Sequence, residues 1–194
     1  RSLGHPVEID GIVTGWDGWN PELTVRGLRV RDRGGAATQP LIDLPEVSAV
    51  VAWTSLLVGE VRLRTLRIDR PRLSIRRDTS GRIEVAGIGF DPQEVQSSPA
   101  FSAWLLNQRE IVVNDALVTW NDDLRNAPQL LLDQVDLRLE RGFGRHRFGL
   151  RGTPPPEIAA PIDVRGDFAS LRAGAWQEAN GRMYVRLDYA DVAA

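Results

Sequence analysis

The sequence contains no cysteine and no lysine. Without cysteine there is no disulfide, no thiolate nucleophile, and no Cys-ligated zinc or iron–sulfur site. That absence fits a reducing and an oxidising compartment equally. All 24 basic residues are therefore Arg, which we read as genomic base composition rather than function. Arg keeps its charge everywhere and covers apolar surface with its stem. Histidine is scarce: His5 and His146 are the two. No window approaches the roughly 18 consecutive apolar residues of a spanning helix. A field of one sign is missing too, because the net charge is −2. This excludes the basic footprint of nucleic-acid binding, and no charge excess draws the chain to anionic lipid headgroups.

Catalytic signatures are also lacking. There is no G-x-S-x-G elbow, HExxH helix or P-loop. Gly87-Ile88-Gly89 has neither the third glycine nor the following helix of a dinucleotide fingerprint, and reads as linker. The carboxylates Asp122-Asp123, and Asp133 with Asp136, lack the alternation, central Gly and distal Glu of a calcium loop. They read as solvated turn residues. No acid sits in a context that selects it as one of a glycosidase pair. His146 reads as a half-exposed strand residue. The expectation is a non-enzyme with no cofactor and no metal.

What the 194 residues do contain is a period of two. Leu23/Val25, Leu28/Val30, Leu66/Ile68, Leu73/Ile75, Ile111/Val113, Val118/Trp120, Val135/Leu137/Leu139, Phe148/Leu150 and Ile162/Val164 alternate with polar residues. Such alternation means strands with one buried face and one wet face, which favours an antiparallel meander. The phase slips by one at Gly27, and again at Thr65. A slip of one swaps faces, so each slip predicts a bulge, and many bulges predict a strongly curved sheet. Gly34-Gly35, Asp78-Thr79-Ser80-Gly81 and Asn180-Gly181 read as hairpin turns. Arg70-Pro71 and Leu44-Pro45 mark strand edges or starts.

Two short helices are predicted, over 53–58 and 97–109. Ser98 is placed to cap the second, with Phe101, Trp104 and Leu105 on one face. Residues 86–96 read as a linker dividing an N-terminal β-segment (1–96) from a helix plus a second β-segment (97–194) continuous with the first. The halves match at an offset of 88: Glu22-Leu23-Thr24-Val25 against Glu110-Ile111-Val112-Val113, then Leu44, Val47, Ala49 and Val51 against Leu132, Val135, Leu137 and Leu139. This suggests a hairpin unit repeated along one axis. The six tryptophans (Trp16, Trp19, Trp53, Trp104, Trp120, Trp176) read as core and rim packing. From the residues alone, the apolar face has three outcomes: closure into a barrel, pairing as a sandwich, or an open groove.

The block from Trp53 through Gly59, Leu66-Arg67-Ile68-Asp69-Arg70-Pro71 and the Arg-rich run to Gly81 resembles the AsmA-like pattern of short helix, Gly, strand, "Leu-x-Ile-x-x-Pro" step, Arg-rich strand and Gly turn. Gly15-Trp16-Asp17-Gly18 with Pro21-Glu22-Leu23 is similar to that family's opening hairpin. Ile111 to Trp120, Leu130 to Leu139 and Arg145 to Phe168 look like its YhdP branch. The resemblance covers about residues 7 to 190. It implies a mainly β, curved antiparallel sheet forming an open groove, like the chorein-type bridge proteins. It further implies a long periplasmic protein anchored in the inner membrane by an N-terminal helix. The resemblance also implies that phospholipid acyl chains would move along this groove towards the outer membrane. This chain, whose ends both read as cut, would be a slice without the anchor. The residues expected to line the groove are Leu63, Ile68, Leu73, Ile75, Val135, Leu137, Leu139, Phe148, Leu150, Ile162 and Val164. The expected partners are phospholipid acyl chains, and envelope proteins through exposed strand edges. The alternative is a non-catalytic docking or spacing module of the envelope.

Overall fold

The structure is a computed structural model that describes residues 7–30, 40, 42–57, 59, 61–85, 88–90, 99–169 and 179–190. Among the described residues thirteen strands form one sheet. They are β1 (Val7–Glu8), β2 (Gly11–Asp17), β3 (Asn20–Val30), β4 (Ile42–Val51), β5 (Leu63–Asp69), β6 (Arg72–Arg77), β7 (Ile83–Val85), β8 (Ile88–Phe90), β9 (Glu110–Asp122), β10 (Leu130–Gly142), β11 (Arg145–Thr153), β12 (Ile162–Ala169) and β13 (Asn180–Arg186). Helix α1 spans Trp53–Leu56 and α2 spans Pro99–Asn107. None of the described helices is long and apolar enough to cross a membrane.

Across the sheet the order runs β2-β3-β4-β5-β9-β10-β11-β12-β13. Strands β5 and β6 lie end to end beside β9, and β7 with β8 extends from β6. The meander expected from the alternation holds everywhere but the centre. There β5 and β6 both pair with β9 in parallel, because the segment carrying β7, β8 and α2 crosses over before β9 begins. Parallel neighbours need such a crossover, whereas antiparallel ones are joined by short turns. The span 86–96, read as linker, contains β8; the rest of it lies outside the described residues, as do the Gly34-Gly35 turn and the Ser98 cap. Among the described residues β2 and β13 remain unpaired along their outer sides, so the sheet is curved but not a closed barrel.

The phase slips fall on one line. Gly27 (φ 60°), Arg70 (φ 51°), Asp115 (φ 52°) and Gln134 (φ 50°) all take the left-handed backbone region. The register shows that they are neighbours. Gly27 and Pro45 sit between the pairs Arg26↔Glu46 and Leu28↔Leu44. Arg70-Pro71 lie level with Asp115-Ala116, between Asp69↔Asn114 and Arg72↔Leu117. Gln134 stands between Leu132↔Val118 and Val135↔Ala116. A left-handed L-residue costs about 1–2 kcal/mol, and three non-glycines accept that cost here. Polar groups freed by the bulges find partners: Arg70 N donates to Asn114 O (2.8 Å), Leu117 N to Pro71 O (2.9 Å) and Asp115 N to Asp136 Oδ1 (2.9 Å).

Each bulge swaps the parity of its strand, and all the swaps occur at one height. Apolar residues therefore stay on one face from end to end: Leu23/Val25 then Leu28/Val30 on β3, Leu66/Ile68 then Leu73/Ile75 on β5–β6, Ile111/Val113 then Val118/Trp120 on β9, and Leu137/Val135 then Leu132/Leu130 on β10. Bulges bend the strands that carry them. A row of them creases the sheet along the direction in which strands succeed one another. The slip at Thr65 is a separate bulge, seen as the register shift opposite Val50/Val51. Gly27 and Asp115 stand at the repeat offset read from the sequence, so β3 and β9 carry the crease at matching positions, although the pairing of β9 with β10 is shifted by two residues from that of β3 with β4.

Candidate functional site

Directly opposed residues in a sheet point to the same side, so the strand register traces each face. One row runs Ile12, Val25, Val47, Ile68, Val113, Leu137, Leu150, Val164, Val185, each residue opposite the next. Nine strands contribute, and every member is aliphatic. The neighbouring row runs Leu23, Ala49, Leu66, Ile111, Leu139, Phe148, Gly166, Met183. Beyond the crease, Val7, Val30, Ile42, Leu73, Val118 and Leu132 form a third. The register puts all eleven residues chosen from the sequence on this face: Leu63 opposite Val51, Ile162 opposite Gly152, Ile75 opposite Trp120. It also puts Val25, Val47, Val113, Val118 and Leu132 there. Their alternation was visible, but only pairing shows that they complete the same rows.

Among the described residues no second layer covers these rows outside the corner under α2. Among the described residues the buried apolar side chains are Val50, Leu63, Ile111, Ala116, Ala159, Pro71 and Pro154. A domain of this size with a sealed core would bury many more. The row from Val25 to Val164 is half-exposed throughout, and its ends Ile12 (59%) and Val185 (55%) lie open to solvent. The face is a hydrocarbon-lined trough that the described residues leave open except at one corner. The reverse face carries crossed charges that keep it in water. Arg26 meets Glu46 (3.4 Å), Arg151 meets Asp163 (3.4 Å), Arg145 and Arg147 meet Asp167 (2.7 and 3.6 Å), and Arg138 bridges Glu110 and Glu140 (2.7 and 2.6 Å). Exposed pairs of this kind contribute little stability each; their effect is to make one face wettable and leave the other as the only apolar one.

Helix α2 roofs one corner of the trough. Its Leu105 and Leu106 face Ile111, Leu139, Phe148, Phe168 and Met183 around a cavity of about 320 Å³. Trp104, expected on the packing side with Leu105, is exposed instead; Phe101 lies outside the residues whose side chains are described. Gln108 locks the helix end to the sheet. It is buried, accepts from Leu63 N (2.7 Å), and donates to Trp104 O. Beneath the helix the rings of Phe148 and Phe168 stack with centroids 5.9 Å apart and 2° between planes. Gly166, opposite Phe148 and two residues before Phe168, leaves the space they fill.

Two expectations need correction. The tryptophans are not core: Trp16, Trp19 (87% accessible), Trp53 and Trp104 are exposed, and only Trp120 of those described is half-buried. With Phe143 they stand on the turns and helices along one end of the strands, so one rim of the trough is aromatic. Asp122 is not a solvated turn residue. It is buried and bidentate to Arg77, and it accepts from Arg125 N (3.2 Å), fastening β6 to the β9–β10 turn. Burial pushes its pKa up, but the Arg77 hydrogen bond, the Arg125 amide and their charges outweigh burial and hold it below the ordinary range. His146 is half-exposed on its strand, as expected. Among the described residues no three acids or histidines gather where a metal could bind.

The model of the YhdP protein family matches residues 1–194, the whole chain. The chain belongs to the YhdP family. Comparison with curated proteins finds no match. Membership suggests a function related to lipid transport in the cell envelope, and YhdP proteins are not a known enzyme family.

Proposed function

We propose that this chain is a segment of a lipid conduit: its open apolar face holds phospholipid acyl chains as they pass between the inner and outer membranes. The observation that carries the reading is the nine-strand aliphatic row, half-exposed along its middle and open at its ends among the described residues. Hydrocarbon laid on that face is removed from water at roughly 0.8 kcal/mol per buried CH₂. Such contact is nondirectional, so chains can slide along the rows without breaking fixed bonds. Family membership supports a periplasmic setting in a longer protein anchored to the inner membrane.

The test is lipid recovery. Purified protein is expected to carry phospholipid detectable by mass spectrometry. The double variant Leu137→Asp with Val164→Asp, placed at mid-row, is expected to lose most of it while keeping its far-ultraviolet circular dichroism. Lipid-free wild-type protein, or lipid retained undiminished by a folded double variant, refutes the reading.

A docking role has one observation in its favour. All seven residues of β13 are exposed and its outer side is unpaired among the described residues, and such an edge can accept a partner strand. A proline at Tyr184 that abolishes self-association or partner capture, without lowering lipid content, would favour this second role.

A further inference from the structure

The two ends of the strands differ in chemistry. At one end the β6–β7 and β9–β10 turns carry Asp78, Thr79, Ser80, Asp123, Arg125 and Asn126. At the other end stand the β2–β3 and β10–β11 turns, α1 and the end of α2. Here lie the exposed tryptophans and the exposed phenylalanine of the residues whose side chains are described. Two of these aromatics occupy hairpin tips. Asp17 pairs with Asn20, and Gly142 with Arg145, so the two hairpins close on Gly18-Trp19 and Phe143-Gly144. Such tips favour Asn, Asp and Gly. Phe143 also takes a left-handed backbone (φ 51°), which is uncommon for a bulky residue. Its ring is wholly exposed, and Trp19 is 87% accessible. Neither ring helps to fill the sheet's core, and a strained position that folding does not use points to function.

The tips are spread out along the rim. On the path β3-β4-β5-β9-β10 four strand spacings separate the two hairpins, which is about 20 Å along the sheet. Between them α1 and its C-cap present Trp53 and Leu57, both exposed. Binding energy at a protein interface concentrates in a compact, desolvated centre. A line of separate apolar tips suits an extended surface instead, and aromatic rings are favoured at the level of lipid headgroups. The local charge agrees. Around Phe143 arginines outnumber carboxylates: Arg138 holds Glu110 and Glu140, and Asp167 is shared by Arg145 and Arg147. Arg109 and Arg141 are exposed, have no acid partner among the described residues, and share a recess with Phe143. The chain's net charge of −2 conceals this local excess.

We propose that this rim docks on the headgroup layer of a phospholipid bilayer containing anionic lipid. Trp19 and Phe143 enter the layer at two points, and Arg109 and Arg141 meet its phosphates. The rim borders the trough, because Trp16 follows Ile12 and Thr14 on the trough side of an unbroken β2. An acyl chain leaving the docked bilayer reaches the aliphatic rows over this lip without crossing water. The proposal rests on the reading of the trough as a lipid conduit, to which it adds the place of contact.

The experiment is flotation with vesicles of phosphatidylcholine alone and of phosphatidylcholine mixed with phosphatidylglycerol. Wild-type protein is expected to bind the mixed vesicles, with its tryptophan emission shifted to the blue and quenched by brominated acyl chains. Trp19→Ser with Phe143→Ser should weaken binding by about tenfold or more. Arg109→Gln with Arg141→Gln should weaken it by about 30-fold on the mixed vesicles at low salt. Leu124→Ser, an exposed apolar residue at the opposite end of the strands, should change nothing. Failure to bind mixed vesicles, binding undiminished by the aromatic pair of substitutions, or an equal loss in Leu124→Ser overturns the proposal. Self-association that the aromatic pair abolishes, with vesicles ignored, makes the rim a protein interface and also overturns it. Both rim variants should keep their co-purified phospholipid. Wild-type protein that carries lipid but ignores vesicles sinks the docking alone; protein that docks but carries no lipid sinks the conduit reading alone.

Discussion

Substituting Gly166 with Ala isolates the packing beneath α2. A methyl built there would lie 2.2 Å from Phe148 Cε1 and 2.5 Å from Phe168 Cε2. Carbon atoms in contact prefer about 3.5–4.0 Å, so one ring or both must move by more than an ångström. Overpacking of this kind costs about 1–3 kcal/mol. The alanine also stiffens the unfolded chain, which returns about 0.4–1 kcal/mol. The expected net loss lies between about 0 and 2.6 kcal/mol, centred near 1. Urea slopes are about 1–3 kcal/mol per molar and grow with chain length, so the midpoint should fall by several tenths of a molar. Gly149→Ala is the internal control. It lies on the adjacent strand, and a methyl there meets nothing within 4 Å, so that variant should be neutral or slightly stabilised. The stacked rings should also loosen, shifting aromatic resonances of Phe148 and Phe168 but not those near Trp120. If Gly166→Ala unfolds at the same or higher urea than Gly149→Ala, the floor of this corner is not packed as described.

The crease can be tested at Gly27, where a methyl would lie 1.9 Å from Asp10 Oδ2 on a left-handed backbone. Gly27→Ala should cost about 1–2 kcal/mol in strain alone and displace the Asp10–Arg29 pair, which a urea midpoint and an Arg29 side-chain resonance would register. In acid, the arginine-paired carboxylates matter. The hydrogen bond from Arg165 and the charges of Arg165 and Arg151 hold Asp163 below the ordinary range against its burial, and Arg145 does the same for Asp167. A carboxylate depressed in the folded state adds stability that is complete above its unfolded value, about 3.9. That stability is lost as pH falls through the folded value. Urea midpoints should thus vary little in this respect from pH 7 to about 4 and drop below it, less steeply in Asp163→Asn with Asp167→Asn; an unchanged acid slope would contradict the pairing. Gln108→Leu leaves Leu63 N without its acceptor in a buried place and should cost about 1–3 kcal/mol, measured by urea, with faster exchange of the α2 amides.

The sequence by itself determined that the chain is a one-faced β protein. Alternation of apolar and charged residues sets which atoms each strand hides, and that depends only on the two-residue period of extended chain. The slips at Gly27 and Thr65 were legible as bulges for the same reason. The two helices were legible from Pro, Gly and apolar spacing. What alternation cannot say is where a strand's partner lies. The alignment of Gly27, Arg70, Asp115 and Gln134 into one crease, the parallel join of β5 and β6 to β9, and the continuity of the nine-strand row all depend on register between residues far apart in sequence. The exposure of the tryptophans and the burial of Asp122 against Arg77 depend on which turns share an end of the sheet. Openness was likewise a tertiary decision. The same apolar face could be covered by a second sheet or left bare, and only the absence of a covering layer over the described strands makes it a trough.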